Sequence, residues 1–404
     1  DLIVPIVRAL RGQEGATVEG LTGVTYRKDG TLVTRSEGFS PPEMERTPLP
    51  DYDDYFEEVR GLKERWDAAL GLPFYLPFEA ARGCWWGDHC HCAFCSLNGE
   101  RLAFRSKSAG RVLSDLDRLH ARYGVRRFVA VDNVLDRDYF TTLLPRLTEL
   151  RRGYVLEWEV RPNLTPRMVA SLARAGFSYV QPGIESLSTP ALRAMSKGTT
   201  AIENVQTMKW LAAYQVKCSW NFLFSLPGER LEWYEEMAPS LPRLMHLHPP
   251  HGPSRIALQR YSPLFTRARE LGIRLLGPTF FARLAFPDVP EELLARLAYD
   301  VDFEIEGRPG DLDERICQVL EPLLSRWRER FEANGCTLSL VDGPGEALLV
   351  EGPLLWPERI FRLAGLLRSF LKGCESIQQE TGLLRRLEEG GPGGEPLEPP
   401  LEPR

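Results

Sequence analysis

Four of the eight cysteines in this 404-residue chain fall within one short stretch: Cys84, Cys90, Cys92 and Cys95. Three thiolates can bind three irons of a cubane cluster and leave the fourth iron open to chelate a small molecule and pass it an electron. The competing interpretation is a structural zinc site built from all four cysteines, because Cys92-x2-Cys95 is also zinc-knuckle spacing. The crowding predicts a metal centre, and the spacing alone leaves both kinds open.

Alternating strand and helix patterns surround this stretch and must position it. One amphipathic helix is expected from about Ser108 to Tyr123, ended by Gly124, and another is expected to be capped by Thr165. Strands joined by helical crossovers pair in parallel, and right-handed crossovers curl them into a full or partial barrel. We therefore predict an α/β fold with a partial (β/α)6 TIM-like barrel, whose chemistry lies at the carboxyl ends of its strands. The six strand segments are YLPFEAA, FVAV, VLEWEV, YVQP, CSWNFLF and RIALQ.

Composition divides the chain into four predicted parts. A hairpin that turns at Asp29-Gly30 precedes a Pro-rich, acidic stretch over 36–55, which is interpreted as a linker. After the barrel we expect helices over ELLARLAYDV, near 312–333 and over 357–371, with a strand pair formed by TLSLVDG and ALLVEG. The predicted parts are 1–55, the remnant of an N-terminal domain plus the linker; 56–275, the barrel; 276–387, an α+β region; and 388–404, a disordered tail.

The cysteine stretch resembles the cluster loop of radical S-adenosylmethionine (SAM) enzymes. Its Cys-x7-Cys-x2-Cys spacing is similar to that of the radical SAM proteins that mature ribosomally synthesised peptides (RiPPs), and GCWWG and CSLNG are close to that family's form. The resemblance implies that Cys84, Cys92 and Cys95 hold a 4Fe-4S cluster and that Cys90 is extra. It also implies that Phe94 packs near the adenine of bound SAM.

Polar residues after the later strand segments fit the same resemblance. Asp132 and Asn133 follow FVAV and could bind the ammonium or ribose hydroxyls of SAM, although a helix cap explains them equally well. Arg161 follows VLEWEV and could pair with the SAM carboxylate through two hydrogen bonds, against the alternative of an ordinary salt bridge. Gly183 and Glu185 follow YVQP, where the glycine allows close backbone approach and the glutamate offers a carboxylate.

The resemblance implies that an electron enters bound SAM, that its sulfonium bond breaks to methionine and a 5'-deoxyadenosyl radical, and that the radical removes an unactivated hydrogen from a substrate. The implied substrate is a precursor peptide, and the implied electron donor is a protein such as flavodoxin or ferredoxin. GLTGVTYRKDG and PLPDYDDYF resemble the connector after a cobalamin-binding domain, so cobalamin is expected in the full-length protein. Carbon methylation of the peptide is the leading prediction, a radical SAM peptide cyclase or crosslinking enzyme is second, and a zinc-stabilised binding module is third.

Composition excludes several other classes. A net charge of -6 argues against a protein that mainly neutralises phosphates, so no nucleic-acid partner is expected. No run of 18 apolar residues occurs, and the opening DLIVPIVRAL lacks the basic start and cleavage site of a signal peptide. We therefore expect a cytoplasmic protein with no membrane partner.

Overall fold

Strands alternate with helices through most of the chain that the computed structural model describes. The described residues are 2–35, 43–65, 75–97, 103–333, 337–352, 359–375, 377 and 379–388. The strands are β1 (Val24–Lys28), β2 (Thr31–Arg35), β3 (Leu76–Phe78), β4 (Ala81–Arg82), β5 (Arg105–Ser106), β6 (Arg127–Ala130), β7 (Val155–Val160), β8 (Phe177–Pro182), β9 (Lys217–Cys218), β10 (Phe222–Phe224), β11 (Pro253–Arg255), β12 (Leu258–Gln259), β13 (Ile273–Pro278), β14 (Asp300–Ile305), β15 (Leu338–Asp342), β16 (Glu346–Glu351) and β17 (Arg359–Ala364).

The helices connect these strands and cover them. They are α1 (Ile3–Leu10), α2 (Asp53–Arg65), α3 (Ala109–Tyr123), α4 (Tyr139–Thr142), α5 (Leu144–Leu150), α6 (Pro166–Arg174), α7 (Thr189–Ala194), α8 (Ala201–Ala213), α9 (Glu232–Glu235), α10 (Pro263–Thr266), α11 (Phe280–Ala285), α12 (Glu291–Leu297), α13 (Leu312–Glu332), α14 (Gly365–Gly373) and α15 (Glu380–Glu388), with 3-10 turns at Met44–Arg46 and Ala238–Leu244. Within the described ranges, no helix combines the length and the apolar character needed to cross a membrane.

A parallel sheet forms the centre of the fold. It contains β3, β6, β7, β8 and β9 in that order. β9 and β10 belong to one extended segment interrupted at residues 219–221, and β10 pairs in parallel with β11. Six strand positions therefore follow one another in parallel with helical crossovers between them. The predicted α/β fold with a partial (β/α)6 barrel is confirmed.

Local capping signals fix the helices that cover the sheet. The Ser108 hydroxyl accepts the third backbone N–H of α3, and Gly124 ends that helix at a φ of 68°, where a side chain would be strained. Thr165 caps α6 in the same way, with Pro166 at the first helical position. Both helices were predicted at these residues. The apolar face of α3 that packs on the sheet comprises Val112, Leu113, Leu116 and Leu119.

The strands bury one face and leave the other partly open. On β7, Leu156, Trp158 and Val160 are buried against the helices, while the alternating Glu157 and Glu159 are only partly buried. This period of two is what a pleated strand imposes on its side chains. The face opposite the helices therefore carries polar groups. At the carboxyl end of β7 these groups lie next to those at the carboxyl ends of the neighbouring parallel strands.

The N-terminal hairpin of β1 and β2 turns at Asp29 and Gly30, as predicted. Of the predicted linker, residues 36–42 lie outside the described residues. The remainder is docked on the barrel: the Tyr52 backbone N–H donates to the Tyr123 hydroxyl at 2.8 Å. Helix α2 begins within the predicted linker because its first turn carries acidic residues, which suit a helix N-terminus.

The region after the barrel has more strand than the sequence suggested. The predicted helix over ELLARLAYDV ends at Leu297, and β14 then pairs with β12 on one side and β13 on the other, both antiparallel. The predicted boundary at residue 275 falls inside β13. Helix α13 matches the prediction near 312–333.

The final sheet corrects another prediction. β15 and β16 form the expected antiparallel pair. The helix predicted over 357–371 is wrong for residues 359–364, which form β17 along the free edge of β16. Pairing with that edge satisfies the backbone, and Ile360 and Phe361 are strand-favouring residues, so α14 begins only at Gly365. The tail predicted to be disordered lies, apart from residue 388, outside the described residues.

Candidate metal centre and cofactor site

The loop that carries the four cysteines begins directly after β4. Gly83 has a φ of 79°, which lets the chain turn sharply before Cys84. The Asp88 N–H then donates to the Cys84 carbonyl at 3.1 Å, and the Cys90 N–H donates to the Trp86 carbonyl at 2.8 Å. The residues between Cys84 and Cys92 therefore coil back on themselves. This turn absorbs the long first spacing of the motif.

Three of the thiols form one group. Burial raises the pKa of Cys92, whereas the nearby cations Lys197 and Arg161 lower it, and the Cys84 thiol raises it. Burial likewise raises the pKa of Cys95, and Cys92 and Cys84 add to that increase. The Cys84, Cys92 and Cys95 thiols thus interact with one another beside two buried cations, which is a suitable setting for thiolates.

Cys90 lies apart from this group. Its side chain is exposed, and its Sγ is 3.9 Å from the Ser196 carbonyl oxygen. A four-cysteine zinc site would require this thiol to turn back towards the other three. Among the residues the structure describes, no three histidine, cysteine, aspartate or glutamate side chains converge closely enough to hold a single metal ion, as a zinc site would require. In a cubane cluster the three thiolates bind three different irons and stand farther apart.

Backbone hydrogen bonds hold the loop against the mouth of the barrel. The Ala93 N–H donates to the Met195 carbonyl at 2.9 Å, and the Leu264 N–H donates to the Ala93 carbonyl at 2.9 Å. Phe94, the next residue, packs partly buried against the apolar cluster between α7 and β12. Its ring centroid lies 5.6 Å from the Lys197 ammonium. The segment before Cys95 is thus fixed by elements from two other parts of the barrel.

Asp132 and Asn133 follow β6 at the same end of the sheet. Asp132 is 2% exposed, and one carboxylate oxygen accepts the Ala80 N–H at 2.8 Å. Its other oxygen is buried and makes no hydrogen bond of good geometry among the described residues, although the Trp158 side chain is close enough to lower the pKa of Asp132. Burial raises the pKa of Asp132 to about 7. The helix-cap alternative is wrong, because α4 begins at Tyr139, whereas Asn133 is half-buried beside this site.

Arg161, which was predicted to pair with the SAM carboxylate, lies beside the cysteine loop. Its side chain is buried, and one guanidinium nitrogen donates to the Lys197 carbonyl oxygen. The guanidinium carbon lies 4.1 Å from the centre of the Trp86 ring. The structure therefore brings Arg161 to the cysteine loop, where one guanidinium nitrogen is hydrogen-bonded and the group stacks on Trp86.

Gly183 and Glu185 meet a lysine that the sequence analysis did not single out. The Lys197 ammonium is 3.3 Å from the Glu185 carboxylate. A Cβ on Gly183 would lie 2.7 Å from the same ammonium, so a side chain there would require the Lys197 side chain to shift. Lys197 stands in the segment SKGTT between α7 and α8 and is buried, which its local sequence did not indicate.

Glu159 is a second residue that sequence reasoning missed. Burial raises its pKa to about 7; the Glu185 carboxylate adds to the increase and Lys197 opposes it. The alternation in VLEWEV indicated that Glu159 lies opposite the buried face of β7, at the carboxyl end. The ends of β7 and β8 thus place two carboxylates beside the Lys197 ammonium and close to the grouped thiols.

The profile of the radical SAM superfamily matches residues 78–239. These residues form a radical SAM domain. Such domains use SAM and a 4Fe-4S cluster, and the donor set found here fits both: three grouped thiols beside buried cations, and an unpartnered buried Asp132 oxygen.

One curated relative and two solved structures resemble this chain over longer spans. An uncharacterised methyltransferase of Pyrococcus horikoshii is 26% identical over 234 residues, which cover 55% of this chain and 47% of the relative. The chain therefore spans about half the length of that curated relative.

Two solved structures share the fold of the radical SAM domain and the segments beside it. The cobalamin-dependent SAM radical enzyme OxsB, with aqua-cobalamin and SAM bound, has a TM-score of 0.52 and 13% identity, covering 95% of this chain and 53% of OxsB. The radical SAM methyltransferase TsrM of Kitasatospora setae, with cobalamin and a 4Fe-4S cluster bound, has a TM-score of 0.50 and 15% identity, covering 93% of this chain and 74% of TsrM.

Proposed function

We propose that this radical SAM enzyme methylates an unactivated carbon of a ribosomally synthesised precursor peptide. Its cluster would be held by Cys84, Cys92 and Cys95. The observation that carries the proposal is the grouping of these three thiols at the barrel mouth beside Arg161 and Lys197, while Cys90 is exposed. Three thiolates leave one iron of a cubane free for SAM, as the chemistry requires.

A reduced 4Fe-4S cluster supplies the electron that cleaves the sulfonium bond of SAM. The protein's own residues have the remaining tasks. Arg161 and Lys197 would offset the negative charge of the thiolates, and the pair formed by Lys197 and Glu185 would meet the charged amino-acid end of SAM. The Asp132 oxygen that lacks a hydrogen bond would accept one from the ammonium or a ribose hydroxyl of SAM. Phe94 would pack near the adenine.

Methyl transfer with cobalamin as a second cofactor is supported by the comparisons. The curated relative is named a methyltransferase, and the two structures of similar fold hold cobalamin. The peptide substrate is supported by the resemblance of the cysteine loop to that of RiPP-maturing enzymes. An electron donor such as flavodoxin or ferredoxin completes the proposed set of partners.

Cluster loading tests the first part of the proposal. The protein and four Cys→Ala variants would be reconstituted anaerobically, and bound iron and sulfide would be counted. We expect the cluster to be lost when Cys84, Cys92 or Cys95 is changed and kept in Cys90→Ala. A cluster that survives Cys84→Ala but not Cys90→Ala would contradict this ligand set. Zinc in place of iron would support a binding module instead.

Product mass tests the second part. The reconstituted full-length enzyme, in which cobalamin binding is expected, would be incubated with SAM, methylcobalamin, dithionite and a precursor peptide encoded beside its gene. A gain of one methyl mass supports C-methylation, whereas a loss of hydrogen mass without methyl gain indicates ring or crosslink formation. SAM cleavage with an unchanged peptide would contradict the proposed substrate.

A further inference from the structure

Two tryptophans follow Cys84 directly, and each is fixed to a different crossover. The Trp85 indole N–H donates to the Leu135 carbonyl at 3.1 Å, after β6. The Trp86 indole N–H donates to the Ser196 carbonyl at 3.4 Å, between α7 and α8. Both rings are partly buried. The residues beside Cys84 are thus tied to two separate points of the barrel mouth.

Two arginines stack on these rings. The Arg137 guanidinium carbon is 3.6 Å from the Trp85 ring centroid. The Arg161 guanidinium carbon is 4.1 Å from the Trp86 centroid and 5.8 Å from that of Trp85. These distances are within the range of cation–π contact. We call Trp85, Trp86, Arg137 and Arg161 the arginine–tryptophan stack.

The two arginines of the stack differ in their surroundings. Arg137 is exposed, whereas Arg161 is 8% exposed. One Arg161 nitrogen donates to the Lys197 carbonyl, and its Nε is buried without a hydrogen-bond partner among the described residues. Burial lowers the pKa of Arg161, while its interactions with the Cys92 and Cys84 thiols, including a hydrogen bond with Cys92, oppose that decrease. The guanidinium therefore lies close to two of the three grouped thiols.

A buried guanidinium at this place has a defined electrostatic effect. A 4Fe-4S cluster on three thiolates is anionic, and one-electron reduction from the 2+ to the 1+ core adds a further negative charge. A fixed cation in a poorly solvated site stabilises the more negative state. Net charge and burial are among the main determinants of cluster reduction potential. Arg161 should therefore make the cluster easier to reduce.

We propose that Arg161, clamped by Trp85 and Trp86, is a positioning residue that raises the reduction potential of the cluster, and that it does not bind the SAM carboxylate. This inference rests on the proposed cluster site and deepens it. It also replaces the role that the sequence suggested for Arg161. Within the stack, the tryptophan rings hold the Arg161 guanidinium in place, and the guanidinium in turn helps hold the two residues that follow Cys84.

The test compares Arg161→Gln with the matched control Arg137→Gln. Both remove one arginine charge from the same stack, but Arg161 is buried and interacts with the Cys92 and Cys84 thiols, whereas Arg137 is exposed. Each reconstituted protein would be titrated anaerobically against dithionite and mediators, and the reduced cluster would be followed by electron paramagnetic resonance. SAM affinity would be measured on the same samples by calorimetry. Arg161→Lys, which keeps the charge but loses the planar stack, is the second variant.

We expect Arg161→Gln to lower the ratio of reduced to oxidised cluster at a fixed potential at least tenfold, equivalent to a shift of 59 mV for a one-electron couple. Arg137→Gln should shift it much less, and Arg161→Lys should retain most of the wild-type potential. SAM affinity should fall less than threefold in all three. An unchanged potential in Arg161→Gln, or an equal shift in Arg137→Gln, overturns the proposal, as does a tenfold loss of SAM affinity at constant potential. Wild-type protein without a cluster would instead count against the proposed function.

Discussion

The Lys197 ammonium and the Glu185 carboxylate lie 3.3 Å apart at the mouth of the barrel, with side chains only 7% and 12% exposed. The Glu159 carboxylate is close enough to both to have its pKa altered by them. A cation in this position therefore has to offset two carboxylates in a poorly solvated site. Removing one partner of such a pair leaves an uncompensated buried charge.

We expect Lys197→Met to lower the free energy of unfolding by about 3 kcal/mol, because the Glu185 carboxylate would lose its partner. The double variant with Glu185→Gln should recover part of that loss. Lys28→Met is the matched control, since Lys28 pairs with Glu19 at 3.0 Å in the open, with both side chains about half exposed. The control should cost less than about 1 kcal/mol. Urea unfolding under anaerobic conditions measures all of these values.

The same pair bears on SAM binding. If Glu185 meets the amino-acid end of SAM, Glu185→Ala removes a charge-assisted contact of about 1.5 to 3 kcal/mol. SAM affinity should then fall about tenfold or more, while the cluster stays loaded. Anaerobic calorimetry measures the affinity and iron content reports the cluster. Unchanged affinity would show that SAM is not bound over the ends of β7 and β8.

Gly198 provides a test of the arginine–tryptophan stack through a single methyl group. A Cβ at Gly198 would lie 2.2 Å from two atoms of the Trp86 ring, and its φ of 66° already strains any side chain. Gly228→Ala is the control, because its φ is 71° but nothing lies within 4 Å of the added carbon. Both variants carry about 1 kcal/mol of backbone strain. Only Gly198→Ala should also displace Trp86 and reduce cluster loading.

The outcome is read from two measurements. Thermal unfolding should show a larger loss for Gly198→Ala than for Gly228→Ala, and bound iron should fall in the first variant alone. Equal iron content in the two variants would mean that the position of the Trp86 ring does not affect cluster binding by the cysteine loop.

Asp132 predicts a pH dependence of stability. Its pKa is raised from 3.8 to about 7, chiefly by burial, so the folded protein holds this proton more tightly than the unfolded chain. Its protonation therefore favours the folded state at low pH, and this advantage is lost as pH rises from about 4 to about 7, with no further change above. Asp132→Asn keeps an acceptor for the Ala80 N–H and has no such titration.

The free energy of unfolding of Asp132→Asn minus that of the wild type should increase by on the order of 2 kcal/mol from pH 5 to pH 8, because only the wild type loses the stabilising protonation of Asp132. Glu159 titrates in the same window, but it is present in both proteins, so the difference between them isolates Asp132. Urea unfolding of both proteins at pH 5 and at pH 8 measures this difference in the free energy of unfolding. A wild-type-minus-variant difference that does not change with pH would contradict the raised pKa.

The parts of the fold that sequence predicted are those set by local signals. Helix α3 could be placed because Ser108 and Gly124 satisfy its ends from within the same segment. β17 could not, because residues 359–364 become a strand only by pairing with β16, and the local pattern suits a helix equally well. Edge pairing is a tertiary effect that overrides local propensity.

The candidate site shows the same division. The crowding of four cysteines predicted a metal centre, and the family resemblance, not the spacing alone, selected Cys84, Cys92 and Cys95 from among them. The setting of Arg161 did not, because it depends on Trp86 arriving from a loop that is distant along the chain. Lys197 was missed for a related reason: its proximity to Glu185 depends on how the segment after α7 returns to the end of β8.

The buried carboxylate of Glu229 joins the barrel to the region that follows it, and this contact yields a last prediction. Its side chain is 0% exposed and pairs with Arg308, just before α13. It also accepts the Ser225 N–H at 3.0 Å, which helps hold Ser225 at a φ of 76° after β10.

Arg308→Met would leave the buried Glu229 carboxylate without its ion-pair partner, so we expect a loss of about 3 to 5 kcal/mol in the free energy of unfolding. The double variant Arg308→Met, Glu229→Gln should be more stable than Arg308→Met alone, because the uncompensated charge is gone while an acceptor for Ser225 remains. Denaturant titration of the wild type, both single variants and the double variant completes the cycle, and additive losses would show that the two side chains are not coupled.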